Sequence, residues 1–458
     1  MRVPRGVSAV KLASALALAM VGSSALAQAM PVGFGPNPTL PAPTKSLLPT
    51  LNIAPADPWP GGARPVAAAG LAVSAYASGL SHPRWLYVLP NGDVLVAETN
   101  KPPAPEESSG GIKGIVMKQA MKKAGAGVPS PNRITLLRGV GTNGQAASHT
   151  VFLEGLMSPF GMALVGTDLY VANADAIVRF PYKEGDTSIS AKGVKVMDLP
   201  AGITHLWTKN LVASPDGKLL YVSVGSNSNA GENGLDKEEG RAAIWEFNIA
   251  SGKGRLYASG LRNPVGMAFN PQNNVLWTSV NERDELGNDL VPDYMTSVKD
   301  GAFYGWPYSY YGKNIDTRVT PQRPELVAKA IVPDYALGAH TASLGLAFYD
   351  GALLPQYKNG ALIGQHGSWN RKPASGYKLI YVPFADGKPN GPPQDVLTGF
   401  LAKNGHANGR PVGVAVDKAG AILLADDVGN IIWRVTPTAG AKDIAPAAPA
   451  ATQQGATP

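Results

Sequence analysis

His205, Lys209, Arg262, Asn263, His340 and Arg410 each lie just ahead of a short apolar run, and Asn281, Glu282, Arg283, Asp284, Trp369 and Arg371 lie just behind one. Loops are polar in any protein; what exceeds that background here is the gathering of guanidinium groups with carboxylate and amide oxygens. Guanidinium forks match carboxylates two bonds at a time, and oxygen donors suit a hard cation such as calcium. The set therefore suits a polyanionic ligand held beside a hard cation. The chain has no cysteine, which excludes disulfides, thiolate metal sites and covalently attached haem.

These residues can act together only if the elements that carry them converge, and a repeat supplies that convergence. The stretch 260–269, GLRNPVGMAF, precedes the turn 270–274 and the run Val275-Leu276-Trp277-Thr278-Ser279-Val280. The same order of strand, turn, strand and polar loop returns with inner strands near 83–86, 159–163, 210–213, 344–348 and 411–416. Units of this kind at intervals of roughly 40 to 50 residues or more predict an all-β chain, a six-bladed β-propeller. Successive strands in a blade alternate direction, so residues before an inner strand and residues after a second strand share one mouth of the central channel. The N-terminal stretch Ala75-Tyr76-Ala77-Ser78-Gly79-Leu80 echoes Leu256-Tyr257-Ala258-Ser259-Gly260-Leu261. It is therefore expected to be the outer strand of the last blade, beside Ile431-Ile432-Trp433-Arg434-Val435, closing the ring.

Composition agrees with one large exported domain. Hydrophobic residues make up 44% and charged ones 16%, and 53 Gly with 40 Pro suit a turn-rich β protein. Residues 1–27 carry a basic head, a short apolar core and Ala25-Leu26-Ala27, the pattern of a signal peptide cleaved near Ala27. The expected location is periplasmic or secreted. Residues 28–68 read as a Pro/Ala-rich leader, 69–437 as the propeller and 438–458 as a disordered tail, with a short amphipathic helix expected over 113–123. The net charge of +7 is dispersed and not interleaved with aromatics, so no nucleic-acid module is indicated. No later stretch is apolar for long enough to span a membrane.

Three stretches then resemble the soluble quinoprotein sugar dehydrogenases, most closely their sorbosone dehydrogenase-like branch. They are Leu261-Arg262-Asn263-Pro264 with Gly266-Met267-Ala268-Phe269, Phe303-Tyr304-Gly305-Trp306-Pro307, and His366-Gly367-Ser368-Trp369-Asn370-Arg371. The resemblance covers about residues 71–437. It implies a propeller that binds pyrroloquinoline quinone (PQQ) and calcium and oxidises an aldose or related aldehyde, passing electrons to a separate acceptor. By the same resemblance His205 falls near the general base, with His340 as the alternative from the repeat and otherwise a substrate contact with Trp369. Arg262 and Asn263 match the pair beside the quinone, and Arg371 and Arg410 the carboxylate anchors. Where glucose-specific members have a second basic residue two places beyond Arg410 there is Val412, leaving Lys209 as a substitute anchor. Asn281 belongs to the cofactor loop, and Glu282, Arg283 and Asp284 to the calcium segment, through backbone carbonyls or side chains. Two other readings share the architecture: a calcium-dependent lactone hydrolase, which needs carboxylates on a metal and no anion anchors, and a non-enzymatic carbohydrate- or protein-binding propeller.

Overall fold

β-Branched and aromatic residues set between Pro, Asn and Gly turns favour strands. The computed structural model, which describes residues 30–44, 51–103, 119, 122–202 and 205–438, pairs them into six antiparallel sheets of four or five strands. Blade 1 comprises Pro83–Val88, Val94–Glu98, Arg133–Arg138 and Ser148–Leu153, and blade 2 Met162–Val165, Asp168–Ala172, Ala176–Pro181 and Val194–Asp198. Blade 3 comprises Leu211–Ala213, Leu219–Val224, Ala243–Asn248 and Lys253–Ser259. Blade 4 runs Pro264–Phe269, Leu276–Val280, Pro292–Ser297, Tyr335–Ala339, and blade 5 Ser343–Phe348, Ala361–Gln365, Lys378–Val382, Gln394–Thr398. In blade 6, Pro411–Val416, Ile422–Asp426 and Ile431–Pro437 are completed by Leu71–Ser78. That strand runs antiparallel from Leu71 opposite Pro437 to Ser78 opposite Ile431, so the ring closes as the echo predicts. The signal-peptide residues, most of the 113–123 helix and nearly all of the tail lie outside the described residues.

The inner strands decide what faces the channel. Those of blades 1, 4, 5 and 6 each shift register at their first residues, between Pro83 and Trp85, Pro264 and Met267, Ser343 and Gly345, and Pro411 and Val414. A bulge re-aims the residue inside it. Here those residues include Arg84, Val265, Leu344 and Val412. Val265, Leu344 and Val412 join Phe160, Trp85 and Trp207 in one buried cluster that plugs the ring. The glycines that recur in the inner strands have a steric cause: a Cβ on Gly161 would overlap the Leu211 amide, and one on Gly345 the Val412 carbonyl.

The leader is laid onto the propeller. Phe34–Gly35 extends blade 4 beside Tyr335–Ala339, and Val66–Ala67 extends blade 5 beside Gln394–Thr398. Residues 51–59 form a strap across the channel mouth: the Asn52 amide donates to the Trp369 carbonyl and the Asp57 amide to that of Ala407. Trp59 anchors the strap. Its indole donates to Asp426 Oδ2 at 2.8 Å and its ring meets Phe400 and Trp433 edge-on. Trp59→Ala is expected to cost about 2 to 4 kcal/mol, from lost packing and one missing bond to a buried carboxylate. Urea unfolding checks this; a loss below about 0.5 kcal/mol would mean the strap is only draped on the surface.

Candidate active site

A cavity of about 210 Å³ opens at the channel mouth. Three guanidinium side chains line it: Arg84 from the blade 1 bulge, Arg262 ahead of blade 4 and Arg410 ahead of blade 6. His205, Asn263, Asn281, Asp284, His366 and Trp369 complete the polar wall, while Ile53 of the strap and Ala124 and Ala126 of the blade 1 insertion help cover it. The side chains in this wall also carry buried polar atoms without partners, namely the Nε atoms of Arg84, Arg262 and Arg410 and the Oδ1 of Asn263. A buried guanidinium N–H left unpaired costs free energy, so three such groups in one wall favour neighbours that accept. Ionised carboxylates accept only, which is the chemistry of a polyanion.

Arg262 is fixed from below. Its Nη1 donates to the Glu282 carbonyl at 3.0 Å and the Asn281 carbonyl at 3.3 Å, and its Nη2 to Asn229 Oδ1 at 3.2 Å. Asp284 Oδ2 lies 3.7 Å away. Asp284 also accepts from Asn370 Nδ2 at 2.7 Å and faces His340 Nδ1 at 3.2 Å. Burial alone would raise the Asp284 pKa, but His340, Arg262 and Asn370 together hold it below the usual carboxylate value.

The two candidate bases separate cleanly. His340 is buried, with Nδ1 facing Asp284 and Nε2 2.9 Å from the Gly287 carbonyl. Both partners accept, so both nitrogens must donate, and His340 is an imidazolium paired with Asp284. Burial opposes this, yet the hydrogen bond to Asp284, its charge and the Gly287 carbonyl together raise the His340 pKa. His205 stands on the cavity wall, open to water yet crowded by protein. That crowding, then the Arg262 charge, lowers its pKa, so the imidazole is neutral at pH 7.

Four other expected site residues fall elsewhere. Arg371 faces a second cavity beneath the leader, its Nη2 paired with Asp289 at 2.6 Å and its Nε and Nη1 on the carbonyls of Asn288 and Pro373. Lys209 is buried away from the cavity with Nζ on the Trp207 carbonyl at 3.1 Å; burial, then Arg241, pushes its pKa down to about 7. Arg283 is paired with Asp316. Glu282 does not line the cavity either: its Oε2 accepts from the Arg283 amide at 2.8 Å, and burial pushes its pKa up to about 7. Among the described residues no three His, Cys, Asp or Glu side chains converge as a metal cluster. The lining residues that carry side-chain oxygens are Asp284, Asn263, Asn281 and Thr208.

Arg84 is the residue that residue-type reasoning passes over, whereas His366 and Asp427 follow second strands and belong to the mouth by the repeat. The sequence signal for Arg84 is an alignment: Pro83-Arg84 occupies the place of Pro264-Val265 and Pro411-Val412, so one channel position in blade 1 is basic where its neighbours are apolar. It stands beside Val412, in the blade next to Arg410, where the missing second anchor was expected. Nothing in the sequence marks Ile53 of the strap as part of the wall, or Ala54 as the residue whose carbonyl accepts from Arg410 Nη2 at 3.2 Å.

Fold and cavity together define a class, the six-bladed β-propeller with a cation-lined pocket at the mouth of its channel. Solved structures with this fold include a Trichoderma reesei carbohydrate-active enzyme of family AA12 (TM-score 0.65, 20% identity, 86% of this chain and 100% of that one). The PQQ domain of pyranose dehydrogenase from Coprinopsis cinerea is alike to the same degree (TM-score 0.64, 20% identity, 83% and 98%). At that identity the likeness is one of fold. The chain belongs to the TrAA12-like family, whose model matches residues 135–300 and 324–438. An uncharacterized protein of Borreliella burgdorferi is 31% identical over 291 residues, 61% of this chain and 76% of that one. An aldose sugar dehydrogenase of Escherichia coli is 33% identical over 135 residues, 29% of this chain and 32% of that enzyme.

Proposed function

We propose that this protein is an exported PQQ- and calcium-dependent dehydrogenase that oxidises an aldose or a related aldehyde such as sorbosone at the carbonyl or hemiacetal carbon. The observation that carries the reading is the single cavity lined by the side chains of Arg84, Arg262 and Arg410, whose buried Nε atoms lack partners, beside a neutral histidine. A lactone hydrolase would have no use for three such cations. The likeness to proteins named as PQQ-dependent pyranose and aldose sugar dehydrogenases supports the same reading. Among the described residues no helix is long and apolar enough to cross a membrane.

The residues fit the cofactor at both ends. Arg84 and Arg410 would hold carboxylates, and Arg262 with Asn263 would face the reactive carbonyls. Bound there, PQQ supplies a two-electron acceptor for hydride. The chain supplies the rest: His205 takes the substrate hydroxyl proton on a ring nitrogen, and Arg262 places positive charge where negative charge develops. Trp369 offers an apolar wall for a sugar ring. Calcium takes about six to eight oxygens; Asp284, Asn263 and Asn281 would provide the protein's share, the remainder coming from ligand and water. With no cysteine for a haem, electrons leave to a separate acceptor.

The direct test adds PQQ and calcium to purified protein and follows dye reduction with a panel of aldoses and aldehydes. No reduction with any of them, despite bound PQQ, would reject the reaction. Arg410→Ala is expected to weaken PQQ binding by about 1.5 to 3 kcal/mol, the worth of a charge-assisted bond. Arg371→Ala should change it by less than about 0.5 kcal/mol, because its partner is an exposed aspartate. A fluorescence titration of the two variants separates them, and the reverse order would move the anchor to the second cavity.

A further inference from the structure

Asp427 is a buried carboxylate at the blade 6 end of the cavity, surrounded by three groups able to carry positive charge. Arg84 Nη1 donates to its Oδ2 at 2.7 Å, His366 Nε2 lies 2.9 Å from the same oxygen, and His82 Nε2 stands behind at 3.7 Å. Burial alone would raise its pKa, but His366, His82 and Arg84 hold it far below the usual carboxylate range, so it stays ionised. An ionised carboxylate only accepts, which makes His366 Nε2 the donor. His82 is tied off by the Thr99 carbonyl at its Nδ1.

His366 differs from the other histidines of the mouth. Its ring lines the cavity, its side chain is 21% exposed, and among the described residues its Nδ1 has no hydrogen-bond partner. The charged and titratable groups that face it are Asp427 behind, Arg84 and Arg410 beside, and Tyr377 beneath Arg410. Burial, with Arg410 and Arg84 adding to it, lowers its pKa to about 4 against the pull of Asp427. With no anion beside it His366 is thus neutral, presenting a lone pair toward a space that two guanidinium groups make suitable for anions. A carboxylate entering that space meets two donors and one acceptor, and the acceptor is converted to a donor by one proton.

We propose that Arg84, Arg410 and His366 form a carboxylate-binding subsite in which His366 takes up a proton from solvent at Nδ1 as the anion binds, with Asp427 holding the ring in register. The inference rests on the PQQ reading above only for the identity of the anion. The incoming carboxylate offsets the repulsion from Arg84 and Arg410 and accepts from the new N–H, while Nε2 keeps its bond to Asp427. No covalent bond changes; the only other participant is a proton from bulk water. Because protonation accompanies binding, affinity falls as pH rises above the free-state value of about 4, by up to tenfold per unit.

Titration calorimetry of the full chain with PQQ at pH 6, in two buffers of different ionisation enthalpy, measures the proton count directly. The expected result is uptake approaching about one proton per site in the native protein and in His205→Asn, and none in His366→Gln. PQQ binding without proton uptake in the native protein overturns the inference and leaves the PQQ reading standing, as does uptake that persists in His366→Gln. An aromatic dicarboxylate lacking a quinone is the second probe. If it binds with proton uptake and PQQ does not bind, the subsite stands and the PQQ reading falls; if neither binds, the subsite is rejected.

Discussion

His205→Ala is expected to lower turnover by about 10² to 10⁴-fold, the usual contribution of a positioned base, while PQQ affinity changes little. The expectation rests on protonation as well as position. His205 faces the cavity and is held neutral by its crowded setting and by Arg262. His340 spends both ring nitrogens on Asp284 and the Gly287 carbonyl and has no lone pair to offer. It is a positioning residue for Asp284, so His340→Ala should act on cofactor and calcium retention more than on the chemical step. The lowered pKa of His205 carries a sign as well: turnover should fall with acid only below the ordinary histidine value of about 6.5, because the base works unprotonated. Steady-state kinetics on the two reconstituted variants decide between them. Near-normal turnover in His205→Ala with collapse in His340→Ala would exchange the roles.

Excising Leu71–Ser78 is expected to abolish cooperative unfolding altogether. The strand buries Leu71, Val73, Tyr76 and Ala77, and Tyr76 Oη ties blade 6 to blade 1 through the Gly139 carbonyl at 2.9 Å. Losing three large side chains at about 2 to 5 kcal/mol each removes most of the roughly 5 to 15 kcal/mol that a folded domain possesses, and it also exposes the edge of Ile431–Pro437. Tyr76→Ala alone should cost about 3 to 5 kcal/mol, whereas Leu256→Ala, on the exposed outer strand of blade 3, should stay within about 0.5 kcal/mol. Tryptophan fluorescence against urea follows the series, since Trp433 sits opposite Ala75 in the closing pair. An excised chain that still melts in one sharp transition would show that the ring holds without its closing strand.

Much of the architecture was legible because a propeller writes the same local pattern six times. The inner strands, their glycines and the echo of 75–80 in 256–261 are local signals, each set by alternation and turn chemistry within a few residues. The mouth was legible for the same reason: strand direction alone brings Arg262, Asn263, Asn281, Asp284, Trp369 and Arg410 to one cavity. His205 arrives there by the same rule.

What the sequence determined by itself was therefore which end of which strand each polar residue occupies. Tertiary structure alone decided where each side chain points and what it spends its hydrogen bonds on. Arg371 leaves a position that strand order shares with Trp369 because Asp289, far away in the chain, captures its guanidinium. Arg84 reaches the cavity because a bulge turns it inward and Asp427 from the next blade holds it there. His340 loses its lone pair, and His366 keeps one, according to whether one acceptor or two surround the ring. Such choices depend on partners dozens or hundreds of residues distant, packed at ångström precision, and no local pattern in the chain encodes that distance.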